Sequence, residues 1–165
     1  MADFETFARD IERIWNEVED AALDEYRNII GDTYDAILQM SDPFVRTGAY
    51  RSEHVIIRDP GTVALGEVAT GGSGGEKIFE HEGRSGPDTP AVEGVDEFSR
   101  PNPFAARQVL DRVVDFIPTA IINERFYAFW LEEGTSRMRP KKVFERAANE
   151  AASRRIRNIT PRSTT

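Results

Sequence analysis

The sequence predicts an α+β fold in a single domain, residues 1–165. Its parts are a long N-terminal amphipathic helix, a small antiparallel β-sheet with a long glycine-rich loop, a middle helix and a basic C-terminal helix. Three observations predict it. Apolar residues recur at three- and four-residue steps from Phe4 to Ile30. Short β-prone runs bounded by glycine and proline follow. Two further helical patterns then flank a third β-prone run.

The first helix rests on Phe4, Phe7, Ile11, Ile14, Trp15, Val18, Ala22, Tyr26, Ile29 and Ile30, with acids and arginines between them. Unbroken over residues 3–40 it would be about 57 Å long. Gly31-Asp32 lies inside it and Asp32 suits a helix cap, so a kink or break is expected there. Ser41-Asp42-Pro43 ends the run, because proline disfavours helical geometry in the residue before it and has no amide to donate. Residues 54–58 and 62–68 are β-prone on either side of Asp59-Pro60-Gly61, the pattern of a hairpin. Residues 70–103 are rich in glycine and proline and are expected to form a flexible loop or arm, with Lys77-Ile78-Phe79 as a short run able to pair as a strand.

Asn102-Pro103 is a helix start, followed by Phe104, Val109, Leu110, Val113, Val114 and Ile117 on one side and a stop at Pro118. Residues 119–123 read as a strand, and the aromatic stretch 125–130 as core. A last helix, residues 141–157, is expected to bury Val143, Phe144, Ala147, Ala148, Ala151 and Ala152 and to expose arginines, with residues 158–165 frayed.

With 165 residues, 39 % apolar and 30 % charged, the chain can build one core of ordinary size. It has no cysteine, which removes disulfides, thiolate metal sites and cysteine nucleophiles from consideration. The early residues are acidic, with no cationic stretch ahead of an apolar one. No segment nears the roughly 18 uncharged apolar residues of a membrane span, so a soluble, unexported protein is expected. The formal charge of −8 argues against a surface that coats nucleic acid throughout. That charge is uneven: residues 1–136 carry 27 acids and 12 bases, whereas residues 137–165 carry two acids and nine bases. The basic end can therefore meet either an acidic face of a neighbouring copy or DNA phosphates, or it is simply a solvated helix face.

His54 and His81 are the only histidines, and Glu80-His81-Glu82 offers metal-binding side chains, but adjacent residues on an extended strand point to opposite faces. No nucleophile elbow, phosphate-binding loop or zinc-protease helix motif is present, and the glycines at 71–75 lack the lysine and helix of a phosphate cradle. Glu132 and Glu133 are sequential rather than facing. Nothing here predicts an active site, a metal or a cofactor.

The informative stretch is Phe126-Tyr127-Ala128-Phe129-Trp130-Leu131-Glu132-Glu133-Gly134-Thr135-Ser136-Arg137-Met138-Arg139-Pro140, leading to Val143-Phe144 and the alanine-rich helix. Glycine supplies a sharp turn there, and Thr135 or Ser136 can satisfy its backbone groups. The pattern Tyr127-Ala128, Glu132, Gly134-Thr135-Ser136, Met138, then a proline and Phe144, resembles the signature of neck or tail-completion proteins of long-tailed double-stranded DNA phages. Thr47-Gly48, with Tyr50-Arg51 after it, is similar to that family's Thr-Gly segment. The order of elements resembles the family over most of the chain, although Lys141-Lys142-Val143 stands between Pro140 and Phe144.

The resemblance implies a non-enzymatic virion component assembled in the host cytoplasm. It would form a homo-oligomeric ring of six or twelve copies in the neck, completing the tail or joining head to tail around the DNA channel. Its partners would be its own copies, adjacent neck, portal-side adaptor and tail proteins, and genomic DNA passing without sequence-specific binding. Neither cofactor nor membrane is implied. A ring needs two different surfaces to meet, which the acidic body and basic end can supply. The candidate interface residues are Arg139, Lys141, Lys142, Arg146, Arg154, Arg155 and Arg157, with the last three expected to contact an acidic neighbour. Three alternatives remain: a tail-terminator or head-closure subunit, a DNA-binding protein using its basic C-terminal helix, and a metal-dependent hydrolase using His54 and His81.

Overall fold

A computed structural model describes residues 4–44, 48–59, 75–83, 100–125 and 127–159. It is an α+β arrangement in which a three-stranded antiparallel sheet lies against helices. Helix α1 runs through Phe4–Ser41 and is followed by a single 3₁₀ turn, Asp42–Phe44. The short helix α2 is Ala49–Ser52 and strand β1 is His54–Arg58. Then come β2 (Glu76–Phe79), α3 (Pro103–Leu110), β3 (Thr119–Asn123), α4 (Ala128–Glu133) and α5 (Val143–Ile159). No helix among the described residues is long and apolar enough to cross a membrane.

The sheet order is β2-β1-β3. β1 takes the centre and is buried along its length up to Arg58, its alternation serving two faces. Ile56 joins Ile30, Tyr34 and Leu38 of α1, Phe79 of β2, and Ala106, Leu110 and Val113 in one core. Val55 and Ile57 pack with Ile122 on the other face. β1 pairs with β3 in continuous register, Val55 opposite Ile122 and Ile56 opposite Ile121, whereas its pairing with β2 slips between Ile56 and Ile57. The expected hairpin partner, residues 62–68, lies outside the described residues, as do residues 70–74 and 84–99 of the glycine-rich stretch. Within that stretch 76–79 is an edge strand and Pro103 already begins α3.

Several expectations are corrected. α1 does not break at Gly31-Asp32. Gly31 is buried where a Cβ would stand 2.9 Å from the Arg107 guanidinium, so glycine admits a packed side chain instead of ending the helix. Asp32 caps nothing; it pairs with Arg107 at 2.6 Å and Arg155 at 2.7 Å. α3 starts as expected, Asn102 accepting the Phe104 amide at 3.0 Å, but it ends at Leu110 rather than Pro118. α1 ties down the following chain: Arg27 Nε donates to the Val113 carbonyl at 2.8 Å and the Tyr26 hydroxyl to that of Ile117 at 2.6 Å.

The aromatic stretch is core only in part. Ala128 and Arg125 are buried and Tyr127 is half-buried, but Phe129 and Trp130 are 46 % and 50 % exposed, and Phe126 lies outside the described residues. α5 buries Val143, Ala147 and Ala151, half-buries Phe144, and leaves Ala148 and Ala152 exposed, because its face against α1 is one small-residue stripe wide. The helix includes Asn158 and Ile159, which were expected to fray, and residues 160–165 lie outside the described residues.

Candidate functional site

The signature residues converge on one structural junction. α4 presents Ala128 and Glu132 inward, one helical turn apart, and Ala128 packs with Ala36 and Ile37 of α1, Tyr50 of α2, and Val143 and Ala147 of α5. The Glu132 carboxylate is buried. One oxygen accepts the Tyr50 hydroxyl at 3.0 Å, and the other accepts the Phe144 amide at 3.2 Å in the first turn of α5. A carboxylate there meets backbone N–H groups that have no partner within the helix, and the positive end of the helix dipole. Burial nevertheless dominates and raises the Glu132 pKa above the ordinary carboxylate range, against the pull of the Tyr50 hydrogen bond. Tyr50 is raised by burial and by the Glu132 charge, so it stays a hydroxyl donor.

Gly134 closes α4 at φ +79°, where a Cβ would come within 2.7 Å of the Met138 carbonyl oxygen and 2.8 Å of the Pro140 nitrogen. Only glycine fits that backbone. The next residues form a tight loop: the Thr135 amide donates to the Met138 carbonyl at 2.8 Å, and the Thr135 hydroxyl accepts the Arg137 and Met138 amides at 3.2 and 3.1 Å. Ser136 is exposed at the tip. The Lys141 amide then returns to the Leu131 carbonyl at 2.7 Å. Gly48, at φ +80°, precedes α2 and so delivers Tyr50 to Glu132. Thr47 lies outside the described residues. Tyr127 stacks obliquely near Tyr50, with ring centroids 6.4 Å apart. The motif is thus a latch joining α2, α4 and the start of α5.

The basic residues divide into two groups. Arg155 meets acids of its own chain, Glu25 at 2.7 Å and Asp32 at 2.7 Å, and Arg154 meets Glu150 at 3.0 Å and Gln39 at 3.4 Å. The expected acidic surface for Arg155 is therefore α1 of the same molecule, and reversing its charge would disturb the α1–α5 packing. Burial alone would raise Asp32, but the Arg107 hydrogen bond and the Arg155 charge outweigh it and lower its pKa. The side chain of Arg157 lies outside the described residues. Nearer the latch, Arg137, Arg139 and Arg146 are exposed, Lys141 is half-buried and Lys142 pairs with Glu145 at 2.7 Å.

The histidines do not form a site together. His54 is fully buried between Ser41 and Asn123. Asn123 is oriented by its oxygen, which accepts the Arg125 amide at 3.0 Å, so its nitrogen donates to His54 Nδ1 at 3.2 Å. Nε2 then carries the proton towards Ser41 Oγ at 3.0 Å, while the serine hydroxyl donates to the Ile37 carbonyl at 2.7 Å. That polarity is opposite to the one that activates a serine nucleophile, which needs an imidazole nitrogen accepting the hydroxyl proton. Burial depresses the His54 pKa to about 3, keeping the ring neutral. Among the described residues no group of three or more histidine, aspartate or glutamate side chains has metal-binding geometry.

Sequence reasoning missed that Tyr50 and Glu132 are partners, and that Phe129 and Trp130 face solvent. The i, i+4 spacing of Ala128 and Glu132 was the available signal for the inward face of α4. Comparison with family models, curated proteins and solved structures finds no match to this chain.

Proposed function

We propose that this chain is a structural virion protein of a tailed phage, forming a ring in the neck that completes the tail or joins head to tail around the DNA channel. The observation that carries the reading is the latch: Gly48, Tyr50, Ala128, Glu132, Gly134, Thr135, Met138 and Phe144, spread over the chain, serve one junction. A motif whose described residues, Ser136 at the loop tip apart, build scaffold suits a protein that works by assembling rather than by catalysing. The exposed arginines beside the latch offer a partner-facing surface, and the acidic body would repel DNA in passage. Tail-terminator and head-closure subunits share this logic and differ in position and copy number.

Electron microscopy of particles from the parent phage lacking this gene, beside a complemented control, tests the reading. Filled heads accumulating apart from finished tails are expected, and normal infectious virions would refute it. The exposed Arg137, Arg139 and Arg146 favour one second reading, local DNA binding. It requires duplex affinity falling with salt at a logarithmic slope of about −0.9 per phosphate neutralised.

A further inference from the structure

The first half of α1 carries an apolar face that nothing in the described chain covers. Phe4, Phe7, Ile11, Ile14, Trp15 and Val18 are 80, 58, 52, 51, 69 and 57 % exposed. At about 100° per residue, all six fall within a stripe roughly 100° wide. Of the buried residues of the same helix, Ile30, Tyr34, Ile37, Leu38 and Ser41 centre roughly 140° away around its axis, whereas Ala36, packed with Val143 and Ala147 of α5, lies in line with the stripe. The stripe thus lies away from the sheet-facing core, on the α5-facing side of α1 and N-terminal to the stretch that α5 meets through Glu25, Asp32 and Ala36. Acids line both its edges, Asp10 and Glu17 on one side, where Arg13 reaches them at 3.7 and 2.9 Å, and Glu5, Glu12 and Glu19 on the other. Covering the six side chains would remove on the order of 600–700 Å² from water, against roughly 800 Å² per partner in a standard interface.

A fitting surface has an apolar centre and a cationic rim. The α4–α5 corner has both: Phe129 and Trp130 are half-exposed, and Arg137, Arg139 and Arg146 are exposed in the loop and helix that follow, where Lys142 and Glu145 neutralise each other and Glu133 is the remaining exposed acid. A chain cannot bring its own stripe to its own corner. The corner packs against the far end of α1 through Val143 and Ala147 on Ile37, and Ile14 and Ile37 lie about 35 Å apart along one continuous helix. Stripe-to-stripe pairing would instead set two acid-rimmed faces against each other.

We infer that the acid-rimmed stripe Phe4–Val18 of one copy docks on the aromatic, arginine-rich α4–α5 corner of a second copy. The contact joins two different surfaces, so it propagates head to tail into a ring or an open chain. It goes beyond the virion reading and stands without it, since both surfaces belong to the free protein.

Sedimentation of the full-length chain over a concentration series, at low and high salt, tests this with two variants. Ile11→Glu/Ile14→Glu spoils the stripe, and Arg137→Glu/Arg139→Glu spoils the corner; none of these side chains supports the core, and each variant's thermal unfolding is compared with wild type. The wild type is expected to associate, less so in high salt, and each variant alone to associate at least about tenfold more weakly. An equimolar mixture should form one-to-one dimers and nothing larger, because only one intact stripe then meets one intact corner. A corner variant that self-associates like wild type would mean that stripe meets stripe. A monomeric wild type, or a mixture that stays monomeric, would also overturn the assignment and leave the stripe to the chain's own residues 60–74, 84–99 or 160–165 or to a basic partner protein. Both results are independent of what gene deletion does to virions.

Discussion

Replacing Glu132 by alanine removes the one acceptor shared by the Tyr50 hydroxyl, 3.0 Å away, and the Phe144 amide, 3.2 Å away, at a buried junction. Each donor left without a partner costs about 1–3 kcal/mol, so Glu132→Ala should destabilise the protein by about 2–5 kcal/mol. For a chain of this size that lowers the melting temperature by roughly 5–15 °C. Glu132→Gln keeps the shape and one acceptor but turns its amide nitrogen towards the other donor, for a loss of about 1–3 kcal/mol. Tyr50→Phe removes only the hydroxyl. Chemical denaturation of the four proteins of the Tyr50→Phe/Glu132→Ala cycle should give a coupling of about 1–2 kcal/mol.

The Glu132 titration adds a sign. Its folded pKa is raised, so the stability it contributes is present at low pH and is lost as pH rises through the folded value. Glu132→Gln should therefore flatten the fall in stability above the ordinary carboxylate range. A Glu132→Ala protein within about 0.5 kcal/mol of wild type, or strictly additive substitutions, would refute the latch.

Gly134→Ala should cost about 2 kcal/mol or more, because the residue sits at φ +79° with backbone atoms where the methyl must go; equilibrium denaturation measures it. Arg155→Ala removes the partner of Glu25 and Asp32, for a loss of about 1 kcal/mol at neutral pH. Because the Asp32 pKa is lowered in the folded state, its contribution disappears as pH falls through that value, so the variant should also lose less stability on acidification. His54 binds its proton only near pH 3 when folded, so stability should fall by on the order of 1 kcal/mol per pH unit as pH drops below about 6.5. Imidazole NMR at pH 5 should show that ring neutral, and a protonated ring there would contradict its burial.

Local signals were legible wherever neighbours in sequence decide the outcome. The apolar period of α1, the Asn102 cap of α3, the β-prone runs of β1 and β3 and the glycine after α4 are read from a few adjacent residues, and the structure has all of them. Gly31 misled because its role is set by Arg107, 76 positions away. Leu110 ends α3 because side chains of α1 hold the next carbonyls, which no pattern around residues 111–117 announces. The convergence of the signature residues was likewise invisible: Tyr50 and Glu132 are 82 positions apart.

An α+β chain with a long amphipathic first helix, an acidic body and a basic end follows from the order of residues, because periodicity, turn chemistry and charge are local or additive properties. Tertiary structure alone decided which of these surfaces stay open. The apolar residues from Phe4 to Ile30 read as one pattern, yet of these Tyr26 and Ile30 meet the sheet-side core and the others of the pattern stay exposed, since burial depends on what else the chain brings to that side. The basic end likewise read as one free surface, yet the fold spends Arg155 on its own α1 and leaves Arg137, Arg139 and Arg146 to solvent.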